Sequence, residues 1–344
     1  MKIIIDKAVP FVEGILEPHA EVRYLDGLAI SKNDISDADA LIIRTRTKCN
    51  KDLLEGSAVK FIATATIGTD HIDLDYCKDK GIYVQNAAGC NAGGVMNYVL
   101  SAIYGSASRK RMKLEGCTVG IIGAGNVGSR VARALQILGF KVLICDPPRA
   151  QIEGPAQFCD LDFLLRNSDI VTIHVPLNQS TRGMADAGFF SKMKLGAIFV
   201  NTSRGEVVVE EDLLASVTKL GSVIIDVWQN EPYVNKALVE SVDIATPHIA
   251  GYSYQGKLLG SSMSVRSLAR FFGIKELYDF FPHPENDQID AVKLDLRGKS
   301  EGQIASVIQY NYPIFTDDFV FRVDPGRFEY LREHYRYRRE FFID

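Results

Sequence analysis

The feature that most constrains this chain is the recurrence of short, unbroken Ile- and Val-rich runs. They fall at residues 2–6, 40–43, 59–63, 82–84, 118–122, 141–145, 169–173, 197–200, 222–226 and 243–245. They run on as continuous apolar stretches, where a strand with one wet face would alternate, and the intervals between them are long enough for helices. Continuous apolar strands separated by helices predict parallel sheets covered on both faces, which is an α/β chain of doubly wound type. With 344 residues, 47% of them hydrophobic, there is material for two such sheets, each with its own core.

One run carries a further signal. Residues 118–122 lead directly into Gly123-Ala-Gly125-Asn126-Val127-Gly128, and Val127, Val131, Ala134, Leu135 and Leu138 then repeat at helical spacing up to a stop at Gly139. In such a turn Gly123 permits the tight bend and Gly125 lets the backbone approach a pyrophosphate. Gly128 allows the helix to pack closely on the strand, and the helix N-terminus offers free N–H groups to the phosphates. A structural glycine turn is the competing reading. It is outweighed by the next strand, 141–145, which ends at Asp146, 18 residues beyond Gly128 and suited to a ribose diol. The Asp146 carboxylate would repel a 2′-phosphate, so NAD is expected rather than NADP.

The remaining polar residues cluster where strands end: 44–48, 64–70, 174–176, 201–204, 226–231 and 246–248. In parallel sheets ligands bind beyond the carboxyl ends of the strands, so catalysis is to be sought there. A nicotinamide takes a hydride, and the protein must then supply a base for the hydroxyl proton, a role for which His is suited near neutral pH. His71, His174 and His248 all qualify by position, with Asp70, Asp73 and Glu231 as possible orienting carboxylates, and spacing does not choose among them. Arg204 could hold a substrate carboxylate bidentately or form a surface ion pair.

Arg44, Arg46 and Lys48 alternate, so in an extended segment they would share one side and could converge on a phosphate; solvated charges at a strand end are the open alternative. Lys plus Arg number 39 against 43 Asp plus Glu, which argues against a nucleic-acid binder. The longest uncharged run, 81–108, contains Gln85, Asn86, Asn91 and Asn97, so no membrane span is expected. The six cysteines have neither disulfide-framework nor zinc spacing, and with no leader-like N-terminus a cytoplasmic protein without a metal site is expected.

Near residue 282 the composition changes. Pro282, Pro284 and Asn286 read as a linker, and Val292, Leu294 and Leu296 alternate with charges as a half-buried strand. Asp324-Pro325 reads as the cap of a last helix with Phe328, Leu331, Tyr335 and Phe342 on one face. Arg332, Arg336, Arg338 and Arg339 interleave with Glu329, Glu333 and Glu340, as on a solvated face. A module of about 60 residues is small to stand alone and is expected to dock on something.

Taken together, these motifs resemble the D-isomer-specific 2-hydroxyacid dehydrogenases. The resemblance rests on the 123–128 fingerprint, Asn201-Thr-Ser-Arg204-Gly205, Asp226-Val-Trp followed by Glu231-Pro232, and Pro247-His248. Arg44-Thr-Arg-Thr-Lys48, Thr64-Ala-Thr-Ile-Gly-Thr-Asp-His71, Gly89-Cys-Asn-Ala92, Cys145-Asp-Pro-Pro-Arg149 and Thr246-Pro-His-Ile-Ala-Gly-Tyr252 narrow it to a branch acting on a phosphorylated 2-hydroxy acid. The resemblance implies a discontinuous substrate lobe, 1–95 and 256–282, an NAD-binding Rossmann lobe, 96–255, and a dimerisation module, 283–344, that makes a homodimer. It also implies that Arg204 orients the substrate, His248 exchanges the C2 hydroxyl proton and Glu231 hydrogen-bonds His248. Thr45, Thr66 and Tyr252 fall on its substrate-contact positions, and Asp146, Val175, Asp226 and Gly251 on its cofactor-contact positions. His71 and His174 then revert to structural or cofactor-loop roles.

Three departures from the family pattern stand out. Thr45 and Arg46 replace the usual Ser and small apolar residue, Asn97 replaces an acidic residue, and the Gly93-Gly94 pair predicts a looser helix start. The rival functions are another 2-hydroxyacid dehydrogenase, such as one acting on phosphoglycerate, and an NAD-sensing regulatory protein built on this fold.

Overall fold

The apolar runs become strands of two all-parallel sheets. The computed structural model describes residues 1–283 and 290–343, so Pro284 and Asn286 of the expected linker lie outside the described residues. Two compact units emerge, Met1–Asn91 with Tyr254–Asp290, and Ala92–Ser253 with Ala291–Asp344.

In the first unit β1 (Lys2–Asp6), β2 (Glu21–Leu25), β3 (Ala40–Ile43), β4 (Phe61–Thr64) and β5 (Tyr83–Asn86) pair in the order β2-β1-β3-β4-β5. Both faces are covered, which is why β1 reads as an unbroken apolar run. Ile4 joins Leu41, Ile43 and Ile62 on one side, while Ile3 and Ile5 pack with Phe61, Val265 and Leu268 on the other. The last two belong to the helix Tyr254–Phe272. Strand β2 was not expected: it is a half-buried edge strand whose sequence, EVRYL, mixes charge into the run.

The second unit holds β6 (Thr118–Ile122), β7 (Lys141–Cys145), β8 (Ile170–Ile173), β9 (Ile198–Asn201), β10 (Ser222–Ile225) and β11 (Ile244–Ala245), in the order β11-β10-β9-β8-β6-β7. The strand order reverses between β6 and β8, the place where such sheets open a ligand crevice. The helices Ala92–Lys110 and Asn126–Ile137 cover one face through Tyr98, Val99, Val131 and Leu135.

The C-terminal tail packs into this unit. Ile308, Tyr312, Ile314 and Phe341 enter the core on the face covered by those helices, and Phe321 and Phe328 enter the opposite one. Asp318 accepts from the backbone N–H of Ala245 at 2.7 Å, satisfying a donor on edge strand β11. The expected strand at Val292 forms as β12 (Val292–Leu294), and it pairs with an unexpected β13 (Phe341–Ile343).

The last helix is shorter than expected. A 3₁₀ turn, Pro325–Arg327, precedes the helix Phe328–Glu333, and the Asp324 side chain makes no cap bond. Tyr335 therefore lies beyond the helix and Phe342 sits in β13, because Asn97 captures the chain there. Its Nδ2 donates to Phe341 O at 2.7 Å and its Oδ1 accepts from Phe341 N at 2.9 Å. An amide supplies both a donor and an acceptor, which an ionised carboxylate cannot.

The Gly93-Gly94 pair, expected to loosen the helix start, has a packing reason for being there. Both glycines are buried, and a Cβ on Gly93 would lie 2.0 Å from the Glu340 carboxylate, so they admit the tail at close range. Of the tail arginines expected on a solvated face, Arg336 and Arg339 are exposed, but Arg332 and Arg338 are not. Arg338 pairs with buried Asp317 at 2.6 Å and lies over the Tyr312 ring, and Arg332 lies over the Phe328 and Tyr252 rings. An aromatic tail gives their stems and charges somewhere to pack.

Candidate active site

At the end of β6 the backbone bends through Gly123, whose φ is +84°. A Cβ there would lie 2.8 Å from the His174 carbonyl oxygen, and a Cβ on Gly128 would lie 1.9 Å from the Gly123 carbonyl oxygen. Gly125 is different: a Cβ there would meet nothing within 4 Å, and no side chain caps the helix that starts at Asn126. Gly123 and Gly128 thus make the turn possible, while Gly125 and the exposed Asn126 leave uncapped N–H groups beside open space. Half-buried Val127 packs inward, and Val175, on the loop after β8, lines the turn.

Asp146 ends β7 and closes the same region. Its Oδ2 accepts from Ala124 N at 2.8 Å and its Oδ1 from Arg149 N at 3.1 Å. A carboxylate has about four acceptor positions, so capacity remains for a diol. Arg149 donates to Ala124 O and Ser129 Oγ and pairs with Glu153. An open anion cradle with a carboxylate at its far strand fits a dinucleotide with an unphosphorylated ribose, which Gly123, Gly125, Asn126, Gly128 and Asp146 could hold.

The loops after β9, β10 and β11 assemble the second half of the site. Gly205 has Trp228 and Gln229 so close that a Cβ would fall 2.0 Å from the Trp228 carbonyl carbon. That contact sets Arg204 beside the loop carrying Glu231. Trp228 is buried and donates through Nε1 to Thr246 O at 2.9 Å, and Glu210 accepts from Gln229 N at 2.8 Å.

Asp226 ties the next loop down. It accepts from Thr246 Oγ1 at 2.6 Å, Ile249 N at 2.8 Å and Ala250 N at 2.9 Å. Burial pushes its carboxyl up, against the opposing pull of His248 and these hydrogen bonds. Tyr98 completes the anchor, its hydroxyl 2.6 Å from Thr246 Oγ1. Between these anchors His248 adopts φ +56°, a left-handed conformation that costs a non-glycine residue about 1 kcal/mol or more and concentrates at functional sites.

His248 Nδ1 lies 2.7 Å from Glu231 Oε2, and Glu231 Oε1 accepts from Trp228 N at 2.9 Å. Burial raises the Glu231 carboxyl, but the His248 ring, its hydrogen bond, Arg332 and the Trp228 amide together hold it below its ordinary value. The carboxylate is therefore ionised and fixed, and it can keep a proton on Nδ1 so that Nε2 is left as the acceptor.

The other two histidines are placed differently. His174 is driven to a pKa of about 3 by burial, with Nε2 3.0 Å from Thr172 Oγ1, so it is neutral. His71 belongs to the first unit, where its carbonyl accepts from Cys49 N. Tyr252 and Gly251 follow His248, and the Tyr252 ring lies 6.1 Å from that of Tyr335 and 6.2 Å from that of Tyr337. Nothing in the local sequence marks Tyr98, Glu210 or Arg332 as supports of this pair: each lies on another element, and only the fold brings it in.

The remaining predicted residues are in the first unit. Thr66 Oγ1 is 2.8 Å from Thr64 Oγ1 at the end of β4, and Thr45 is exposed after β3. The segment 44–48 is not extended, which corrects the expectation that its three cations share a side. Thr47 N reaches back to Arg44 O at 3.4 Å, and the buried Thr47 hydroxyl donates to Gly27 O at 3.0 Å. The resulting turn sends Arg44 to Ala8 O at 3.2 Å and Arg46 to Asp26 at 3.4 Å, and leaves Lys48 exposed.

Comparison with known proteins bears on this arrangement. Residues 97–250 match the D-isomer specific 2-hydroxyacid dehydrogenase, NAD binding domain. Erythronate-4-phosphate dehydrogenase of Bacteroides fragilis is 43% identical, covering 99% of this chain and 97% of its own. That of Yersinia enterocolitica is 38% identical over 99% and 93%. NAD-bound 3-phosphoglycerate dehydrogenase of Entamoeba histolytica superposes with a TM-score of 0.67 at 26% identity, covering 81% of this chain and 97% of its own. The chain belongs to the D-isomer-specific 2-hydroxyacid dehydrogenase family. It is an NAD-dependent dehydrogenase with the doubly wound parallel-sheet fold, and the expectations of family, fold and cofactor hold.

Proposed function

We propose that this chain oxidises the C2 hydroxyl of 4-phospho-D-erythronate to 2-oxo-3-hydroxy-4-phosphobutanoate, on the route to pyridoxal 5′-phosphate. The observation that carries the mechanism is the 2.7 Å contact between His248 Nδ1 and Glu231. NAD supplies the hydride acceptor. His248 takes the hydroxyl proton at Nε2, while Glu231 holds Nδ1–H and stabilises the imidazolium as it forms. Arg204 pairs with the C1 carboxylate and polarises the C2 oxygen, and Tyr252, Thr45 and Thr66 contact the substrate. The substrate is anionic at both ends, so a second cationic group is required for the C4 phosphate, and Arg44, Arg46 and Lys48 supply it. Val175, Asp226 and Gly251 complete the cofactor contacts.

The working unit in this reading is a cytoplasmic homodimer. All six cysteines are free thiols, which suits a reducing compartment. No helix among the described residues is long and apolar enough to cross a membrane. The tail exposes Tyr310, Phe319, Val320 and Val323, an apolar surface of the kind that subunit interfaces cover.

Initial rates of NAD reduction with 4-phospho-D-erythronate, 3-phosphoglycerate and unphosphorylated 2-hydroxy acids test this function. A preference for the first in kcat/KM supports it. A preference for phosphoglycerate moves the chain to another substrate, and NAD binding without turnover on any of them supports a regulatory role.

A further inference from the structure

We propose that Arg332, carried by the C-terminal tail, is a positioning residue for the His248–Glu231 pair, supplying the positive charge that offsets the carboxylates around it. The inference rests on the reading of His248 as the proton acceptor and adds to it a group from a segment that carries none of the proposed catalytic residues.

The placement of Arg332 calls for an explanation. It stands on the helix Phe328–Glu333, with its guanidinium 5.6 Å from the Phe328 ring centre and 5.9 Å from that of Tyr252, and only 14% of its side chain is exposed. Its nearest carboxylate oxygen, on Glu329, is 3.5 Å away, and its Nε is buried with no hydrogen-bond partner among the described residues. A guanidinium buried with one donor unsatisfied is not retained there for its hydrogen bonds. Its charge accounts for the position better. Burial works against that charge, and Tyr252 together with Glu231, Glu329 and Asp226 more than restores it, so Arg332 stays firmly protonated.

The charges facing the pair show what that cation does. Asp226 lies beneath the His248 loop, and Glu210 holds the backbone of the loop that carries Glu231. Glu231 touches the ring and Asp226 acts on it from beneath the loop, so two carboxylates bear on one imidazole. Arg204 approaches on the loop after β9, Tyr252 follows on the loop of His248, and Arg332 and Glu329 come from the tail helix. Negative charge favours the imidazolium, and an imidazole that already holds a proton cannot accept one from a hydroxyl. Arg332 opposes that excess. It also helps keep Glu231 ionised, so that the carboxylate stays in place as the acceptor that orients the ring. The sign is definite: removing the cation raises the pH at which His248 titrates.

The test is the titration of the His248 imidazole by nitrogen NMR in the full-length protein with NADH bound, assigned with His248→Gln and paired with the pH profile of kcat/KM for oxidation. Arg332→Met fills the space between the two rings without charge, and Arg332→Gln is a second neutral side chain should Met loosen the tail. In either variant His248 is expected to titrate about 0.5–1 pH unit higher, with the acid limb of kcat/KM moving alongside it. Arg332→Lys, which keeps the charge, should restore both. A His248 titration unmoved in the neutral variants, or moved equally by Lys, overturns the proposal, because a merely structural residue would lower activity or stability without that pattern. Near-normal turnover by His248→Gln would instead remove the reading of His248 as the base, while the imidazole titration in the other variants still reports on Arg332 directly.

Discussion

Each of the two parallel sheets has one place where the strand order reverses, between β1 and β3 in the first unit and between β6 and β8 in the second. The two places share a topology and differ completely in chemistry. After β6 the groups on offer to a ligand are backbone N–H groups, and the Gly123–Gly128 turn carries no charged side chain. After β1 and β3 they are side chains. Asp6 is buried with Oδ2 unpartnered among the described residues, a Cβ on Gly27 would lie 2.4 Å from that oxygen, and Asp26 draws in both Lys7 and Arg46. The fold places a ligand at such a reversal, but the loop decides which ligand, so a backbone cradle and a set of partly neutralised cations should respond differently to mutation.

The largest effect is expected at the proton acceptor of the second unit. His248→Ala should reduce kcat by about 10²–10⁴-fold while NADH binding, measured by fluorescence, is retained. Near-normal turnover would pass the role to another group. A glycine in each unit separates the two loops further. In Gly128→Ala the new methyl meets a backbone carbonyl that cannot swing away, so a loss of about 1–3 kcal/mol of stability is expected together with at least tenfold weaker NAD binding. Gly27→Ala meets the Asp6 side chain, and it should leave NAD affinity unchanged. Equal losses of NAD affinity in the two variants would end the distinction.

The same contrast explains what could be read from the chain alone. The glycine cradle was legible because its requirement is local: strand, three glycines, helix and terminal carboxylate follow one another within thirty residues. The strands with both faces covered were legible for a similar reason, since burial on both sides leaves a continuous apolar run. Strand β2 was not, because an edge strand with charged Glu21 and Arg23 loses that signature. The tail was least legible. Whether Arg332 and Arg338 face water depends on Tyr252, Tyr312 and Asp317, which are distant in sequence, and β13 forms because Asn97 holds Phe341 across 244 residues. The extended reading of 44–48 failed because a buried hydroxyl, Thr47, folds the segment into a turn.

Asp146 offers the next sharpening. Asp146→Ala should weaken NAD by about tenfold and improve NADP relative to it, because the carboxylate that would repel a 2′-phosphate is gone and the Arg149 guanidinium remains nearby. Steady-state KM values for the two cofactors decide this, and wild-type protein that used both equally would contradict the role given to Asp146. His174, which follows β8, predicts a pH effect instead. Burial depresses its pKa to about 3, so the unfolded chain binds the extra proton as pH falls below the ordinary histidine value. Stability should then fall by up to about 1.4 kcal/mol per pH unit between pH 6 and 4 from this residue, and His174→Asn should remove that component of the slope in denaturant titrations. An unchanged slope would mean that the ring is hydrated in solution.

The smallest effects belong to the cations of the first unit, where the turn has divided them. Arg46 pairs with Asp26, whose carboxyl is itself held below its ordinary value, by the Leu28 amide and Lys7 above all. Lys48 is exposed, and an exposed cation on a long flexible stem contributes about 1 kcal/mol or less to an ion pair. Single alanine replacements of Arg44, Arg46 and Lys48 should therefore raise KM for the phosphorylated substrate by only about three- to tenfold, and barely affect an unphosphorylated analogue. Asp26→Asn separates the two ways in which Arg46 could act. If Asp26 merely competes with the phosphate for Arg46, KM should fall by about two- to threefold; if the carboxylate holds Arg46 in a productive orientation, KM should rise. No change in either direction, together with parallel losses on both substrates in the alanine variants, would place the phosphate on other groups and leave the reversal in the first unit without a cationic role.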